Sequence, residues 1–357
     1  MSKRIGVRKQ IALELHRKMR QNQIREHALR TLFWECTLRC NIACKHCGSD
    51  CKVSAHQPDM PIVDFLKVID EMTPFVEPNK LLVIFSGGEP LVRDDLEQCG
   101  IQLYRRGYPW GMVTNGLYLS RERLDSLLAA GLHSITVSLD GFEEDHNWLR
   151  GHLASYRKAL AAVKMLIGEK EIVWDIVTCA NRRNLGYLRQ FRDFLIETGL
   201  PRWRLFTIFP VGRAARHPEF QLSDADFTTL LDFIKETREE GKIHVSYGCE
   251  GFLGPYEAEV RDSFYQCQAG TSVASILADG SISGCLSIRS NFHQGNIYQD
   301  SFIDVWNNCF NKYRDRSWTR KGTCADCKVF RYCEGNGMHL YDDNENLLVC
   351  HYNRITH

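Results

Sequence analysis

The chain has 357 residues, of which 44% are hydrophobic and 25% charged, and its formal net charge is +1. This length and mix suit a globular protein with one large domain and a smaller one. The near-neutral balance offers no basic face for nucleic acid. No run of about 18 apolar residues is present to span a membrane, and the basic N-terminus lacks the apolar stretch of a signal peptide, so the expected location is the cytoplasm.

Residues 1–30 read as a basic arm. Lys3 to Arg30 predicts one or two amphipathic helices, either packed on the main domain or turned to an acidic or membrane-adjacent surface. From 31 to 210, apolar strands alternate with helical patterns at a period of roughly 30 residues, as in βαβ units. The predicted strands are Leu32 to Cys36, Leu81 to Ser86, Trp110 to Thr114, Ser134 to Leu139, Ile172 to Val177 and Trp203 to Phe209. Between them, Ile62 to Met72, Asp94 to Arg106, Arg121 to Ala130, Ser155 to Leu166 and Asn184 to Thr198 carry apolar residues at helical spacing. Residues 211–247 read as a linker and a bridging helix from about Ser223 to Glu240. Residues 248–357 read as a second, cysteine-rich domain.

Chemistry is concentrated just past the strands. Cys40, Cys44 and Cys47 (CNIACKHC) supply three thiolates where a closed zinc or iron–sulfur site needs four. The strand from Leu81 runs into Gly87-Gly88-Glu89-Pro90, where the two glycines let backbone approach a ligand closely. Met112 to Gly116 (MVTNG, with Asn115) and Ile135 to Gly141 (ITVSLDG, with Ser138 and Asp140) end strands in small polar residues, and Arg150-Gly151 follows. Singly, each is also an ordinary turn. Together they lie at the C-terminal ends of parallel strands, where α/β folds bind ligands.

The 15 cysteines cluster at both ends of a chain without an export signal, which favours metal ligation over disulfides. Cys99 and Cys179 stand apart and read as small buried residues. In the tail, Cys267 and Cys285 flank a hairpin turning at Asp279-Gly280, and Cys324, Cys327, Cys333 and Cys350 follow. A zinc ribbon is an open reading for these pairs taken alone.

The cysteine motif and the three turns, in that order, resemble the radical S-adenosylmethionine (radical SAM) enzymes. The resemblance implies an α/β fold: a partial (βα)6 TIM-like barrel with a C-terminal cysteine-rich extension. It also implies a [4Fe-4S] cluster on Cys40, Cys44 and Cys47, one open iron binding S-adenosylmethionine, and cofactor contacts from Gly87, Gly88, Glu89, Asn115, Ser138, Asp140 and Arg150. Reductive cleavage to a 5′-deoxyadenosyl radical, which abstracts hydrogen from substrate, would follow. His46 before the third cysteine is a variant of a common aromatic.

The tail resembles the SPASM extension, which implies auxiliary iron–sulfur clusters. Cys324, Cys327, Cys333 and Cys350 would hold one; Cys249, Cys267 and Cys285 would supply three ligands to another. A further cysteine is usual where Gly337 stands, so this last cluster is absent, keeps an open iron, or takes another ligand such as Cys309 or a carboxylate. Leu286 replaces the aspartate of similar sulfatase-maturing enzymes, which disfavours that activity. End to end, with FWECTLRC and CADCKVFRYCEGNG, the chain resembles the subgroup found beside lipoproteins in Bacteroidetes. The implied partners are a peptide or protein substrate, such as a neighbouring lipoprotein precursor, and a low-potential electron donor such as flavodoxin or ferredoxin. A radical enzyme acting on a small molecule or cofactor precursor, and a zinc-binding interaction module, are the alternatives.

Overall fold

The computed structural model describes residues 5–356; Lys3 and Arg4 of the basic arm lie outside the described residues. Helix α1 (Val7–Glu26) leads into strand β1 (Thr31–Thr37). Then follow α2 (Ile62–Met72), β2 (Leu82–Gly87), α3 (Leu96–Arg105), β3 (Trp110–Thr114), α4 (Arg121–Ala129), β4 (Leu132–Ser138), α5 (Glu143–Arg150), α6 (Ser155–Ile167), β5 (Val173–Ala180), α7 (Leu188–Thr198) and β6 (Arg202–Thr207). Strands β1 to β6 pair in parallel, each with its successor, which is the expected partial barrel.

The predicted count of six parallel strands is two short, one at each edge. After α8 (Asp224–Glu240), strand β7 (His244–Tyr247) pairs in parallel with β6, so the segment read as a linker ends inside the sheet. At the other edge, β8 (Val273–Ile276) pairs in parallel with β1 and antiparallel with β9 (Ser281–Ser283), which in turn pairs with β10 (Gly295–Asn296). The hairpin of the cysteine-rich segment thus continues the barrel's own sheet. The remaining helices are α9 (Phe302–Asn308), α10 (Asn311–Arg314), α11 (Phe330–Cys333) and α12 (His351–Thr356).

The core lies where alternate strand residues meet the helices. Trp34 of β1 stacks on Phe65 of α2 with centroids 4.5 Å apart and meets Phe85 of β2 edge-on at 5.1 Å; Phe85 then stacks on Trp110 of β3 at 5.0 Å. Such pairs add ~0.5–1.5 kcal/mol each beyond area burial. Ser223 caps α8 in a reciprocal capping box with Asp226.

Helix α1 packs against the C-terminal segment. Buried Arg20 donates to the carbonyls of Tyr332 (2.8 Å) and Arg331 (3.0 Å) and pairs with Glu334 at 2.7 Å, while Lys9 pairs with Glu259. Leu13 joins Phe252, Tyr265 and Val329 in a small core. Val7, Ile11, Leu15 and Met19 lie exposed along the outer side, so the helix turns much of its charge inward and its apolar ridge outward.

Candidate cluster and cofactor site

The cysteine loop springs from the end of β1 and is fastened on several sides. The Cys40 amide donates to Lys52 O at 2.8 Å, and the Lys45 amide to Leu149 O of α5 at 2.9 Å. Arg213 closes it from the segment after β6: its amide donates to Cys47 O (2.9 Å), Nε to Cys44 O (2.6 Å) and a terminal nitrogen to Cys51 O (2.8 Å). At Gly212 (φ +58°) an added Cβ would fall 2.3 Å from Gly48 O and 2.5 Å from Cys47 O. Only glycine lets the chain pass so close. The residues Val211 to Arg213, read from sequence as the opening of a polar linker, are therefore part of the loop's support.

Cys40, Cys44 and Cys47 surround one small cluster with Ile42 and Leu117. Burial, then the charges of Glu89, Cys44 and Cys47, push the Cys40 thiol up to about 12, against the Ile42 amide. Sequence reasoning missed Cys51, whose thiol hydrogen bonds to Cys47 and draws the Cys47 thiol down. Its spacing of three residues from Cys47 was the available signal.

Gly87 and Gly88 cross β1's end so tightly that added Cβ atoms would lie 2.1 Å from Thr37 O and 2.0 Å from Arg39 O. Glu89 points inward: it accepts from the Leu91 amide (3.2 Å), the Thr114 hydroxyl (2.7 Å) and the Asn115 amide (2.7 Å), and burial raises its carboxyl. Its carboxylate therefore ties the glycine turn to the end of β3. Asn115 Nδ2 donates to Asn41 Oδ1 at 2.7 Å and lies 3.9 Å from Cys40 Sγ. Ser138 is buried at the end of β4. Asp140 Oδ1 accepts from the Cys179 amide at 2.8 Å and Oδ2 from Arg150 Nε at 2.6 Å, and Arg150's terminal nitrogen lies 3.8 Å from Cys44 Sγ. Burial raises the Asp140 carboxyl, but the Arg150 guanidinium, then His46 and His146, outweigh it and hold it at about 2.

His46, Asp140 and Cys179 bring ligand-type atoms within 4.8 Å of one another, the one such trio among the described residues. The motif cysteines are spread wider. A zinc ion ~2.3 Å from each sulfur would draw its thiolates to within about 4 Å, so the spread suits a larger cluster. Buried Asn41 Nδ2 and His46 Nδ1 beside them have no partner in the protein, as donors that meet a bound group would. Cys99 is buried as expected, whereas Cys179 is half-buried and faces a cavity of 270 Å³. His46, Ser49, Val177 and Phe206 line that cavity with Leu286, Ser287 and Arg289 of the cysteine-rich segment.

The C-terminal cysteines fall into two sets. Burial, then the neighbouring Cys285 and Cys267, push Cys249 up to about 12, although its surface is exposed. In the other set burial, then Cys350 and Cys327, push Cys324 up to about 11, and Cys333 is raised by burial with Cys350 and Cys324. Around both sets stand buried polar atoms without a protein partner: Tyr265 Oη, Gln266 Nε2, Arg316 Nε, Asn336 Nδ2, His339 Nε2 and His351 Nδ1. Cys309 is exposed, at the C-terminal end of α9.

An open parallel barrel with three thiols and a glycine turn at its mouth, joined to a cysteine-rich hairpin segment, defines a class of S-adenosylmethionine-dependent iron–sulfur proteins. The profile of the Radical SAM superfamily matches residues 34–195, and that of the SPASM iron–sulfur cluster-binding domain matches residues 267–328. The chain carries both domains and is a radical SAM enzyme with a SPASM domain, which binds a [4Fe-4S] cluster, S-adenosylmethionine and auxiliary iron–sulfur clusters. It is 28% identical to an AdoMet-dependent heme synthase of Methanosarcina barkeri, over 88% of this chain and 93% of that one. It is 26% identical to a PqqA peptide cyclase of Bradyrhizobium diazoefficiens, over 85% and 79% respectively. Its fold resembles Streptococcus suis SuiB bound to S-adenosylmethionine, with a TM-score of 0.68 at 17% identity over 89% of this chain and 76% of SuiB. It also resembles anSMEcpe with AdoMet and a peptide, with a TM-score of 0.70 at 18% identity over 92% and 94%.

Proposed function

We propose that the enzyme abstracts hydrogen from one side chain of a peptide or protein that enters the cavity between the strand ends and the Leu286–Arg289 segment. The observation that carries this reading is the cavity: its 270 Å³ lies below the ~300–1,000 Å³ of sites for drug-sized ligands, and suits a side chain better than a whole macrocycle. Cys40, Cys44 and Cys47 would hold the first cluster, and Gly87, Gly88, Asn115, Ser138, Asp140 and Arg150 would surround S-adenosylmethionine, with Glu89 bracing the turn from behind. When bound, the group supplies a carbon radical able to take an unactivated hydrogen. The chain's own part is to orient and exclude water: Phe206, Ile208 and Leu286 wall the cavity, and the Arg150–Asp140 pair fixes the rim beside Cys44.

The C-terminal cysteine sets would hold auxiliary clusters able to accept an electron from the substrate. The division into an arm (1–30), core (31–210), bridge (211–247, including β7) and cysteine-rich domain (248–357) belongs to this reading. So do a cytoplasmic location, a flavodoxin or ferredoxin as electron donor, and a neighbouring lipoprotein precursor as one protein substrate. Among the described residues no helix is long and apolar enough to cross a membrane.

A second reading has its own support. The likeness to a heme synthase favours a tetrapyrrole that inserts only one acid arm into the cavity, where Arg289, paired with buried Glu35 at 2.8 Å, would share its guanidinium with the carboxylate. The deciding experiment offers reduced, reconstituted enzyme with S-adenosylmethionine either peptides encoded near its gene or iron coproporphyrin, and measures 5′-deoxyadenosine above the uncoupled background. Stimulation by a peptide, with its deuterium carried into deoxyadenosine, is expected. Stimulation by the porphyrin alone would overturn the peptide reading.

A further inference from the structure

Residues Glu334 to Leu340 cross beside Cys249 in a turn whose central position is glycine. The Gly337 amide donates to Glu250 O at 3.2 Å, which sets this turn against the residue next to Cys249. A Cβ built on Gly337 would meet the ring of His339, 2.5 Å from Cε1 and 2.8 Å from Nδ1. The imidazole thus occupies the space into which a side chain at 337 would project.

His339 is also 8% exposed, and its Nε2 is buried without a partner in the protein. Its ring packs on Phe209 with centroids 4.7 Å apart, and Phe209 shares the 270 Å³ cavity with Leu286 and Ser287, which follow Cys285. The ring therefore packs between the turn at Gly337, set against the residue after Cys249, and Phe209, whose cavity is also lined by the residues after Cys285. A buried imidazole nitrogen with neither acceptor nor donor is destabilising unless something binds it.

We propose that His339, through Nε2, is the fourth protein ligand of the auxiliary cluster held by Cys249, Cys267 and Cys285. This rests on reading those three cysteines as ligands. Histidine is a known replacement for cysteine on cluster iron and raises the reduction potential. The site is then fully ligated by protein, so that cluster takes electrons without binding substrate directly.

The test uses full-length protein with Cys40, Cys44 and Cys47 replaced by Ala, so that only auxiliary clusters remain, reconstituted without oxygen and labelled with 15N-histidine. After dithionite reduction, pulsed EPR should show one strongly coupled nitrogen. His339→Ala should abolish that coupling. His339→Cys should retain the iron count, show no coupled nitrogen and leave one cluster harder to reduce, and it serves as the readout if the Ala variant fails to fold. No strong nitrogen coupling in the starting protein, or coupling that persists in His339→Ala, would overturn the proposal. The Cys267→Ala control separates the two layers: an unchanged iron count there removes the cysteine reading itself, whereas a loss of about four irons there, together with no nitrogen coupling in the starting protein, removes only His339.

Discussion

Arg150 Nε donates to Asp140 Oδ2 at 2.6 Å, with neither side chain more than 10% exposed. The helix that carries the arginine, α5, is short and has three acidic residues in its first turn, and it ends at Gly151 in the left-handed region (φ 69°). The pair joins the end of β4 to the cysteine loop.

Replacing Arg150 with Met strands a buried carboxylate, which costs ~3–5 kcal/mol at neutral pH. Asp140, ordinarily at 3.8, is held at about 2, so its contribution to stability is fully present above 3.8 and is lost as the pH falls through about 2. In Arg150→Met burial acts without its counterweight and raises the carboxyl. Protonation then relieves the variant at a higher pH, so the stability gap to wild type narrows on acidification. Urea unfolding of both proteins at neutral and acidic pH measures this, and Asp140→Asn with Arg150→Met should recover part of the loss.

Glu89→Gln tests the bracing role of the carboxylate. The side chain receives three hydrogen bonds, so the amide's NH2 must face at least one donor among Leu91 N, Thr114 Oγ1 and Asn115 N. The expected cost is about 1–3 kcal/mol. S-adenosylmethionine affinity by calorimetry should also fall, through displacement of the glycine turn.

Iron analysis separates the thiols around the first cluster. Cys40, Cys44 and Cys47 changed together to Ala should remove about four irons per chain and spare the C-terminal clusters. Cys51→Ser should keep all of the iron, because Cys51 acts on Cys47 through a hydrogen bond. A loss of iron in Cys51→Ser would make it a ligand.

How far the sequence reached follows from how each feature encodes itself. Strands β1 to β6 and the helices between them, α5 apart, announce themselves because each buries one face, and α2 spans the predicted Ile62–Met72. Strand β7 escaped because it is only four residues long, too short for its alternating burial to stand out. Helix α5 escaped because its eight residues are mostly polar and only His146, Leu149 and Arg150 are buried. Cys51 offered only its spacing from Cys47, and His339 carries no pattern of its own; the neighbours of both are set by chain folding. The same holds for α1, which turns Val7, Ile11, Leu15 and Met19 outward while burying Leu13 and Arg20, so its apolar residues do not share one buried face.

Gly212→Ala should loosen the cysteine loop from outside it. The new Cβ would meet two backbone oxygens that cannot swing away, and φ +58° adds strain for any L side chain. We expect a lower melting temperature and partial loss of iron from the first cluster alone. Arg213→Ala should give the same iron loss by removing the donors to Cys44 O and Cys51 O. Full iron in both variants would show that the loop is self-supporting.

Gly337→Cys restores a thiol where the family pattern has one, and the local geometry argues against a simple gain. Its Cβ would lie 2.5 Å from His339 Cε1 and 2.9 Å from Glu250 O. The ring can turn aside; the carbonyl can move only with the backbone beside Cys249. The single variant should therefore be destabilised by about 1–3 kcal/mol, in the range of overpacked sites. It should also bind less iron in the auxiliary set. Adding His339→Ala removes the closer contact and leaves the one with Glu250 O, so the double variant should recover iron while regaining only part of the stability. Iron counts and thermal melts of the three proteins decide the matter: a single variant as stable and as iron-rich as wild type would mean that the turn at 337 yields freely and that the imbalance of ring and backbone assigned to it is wrong.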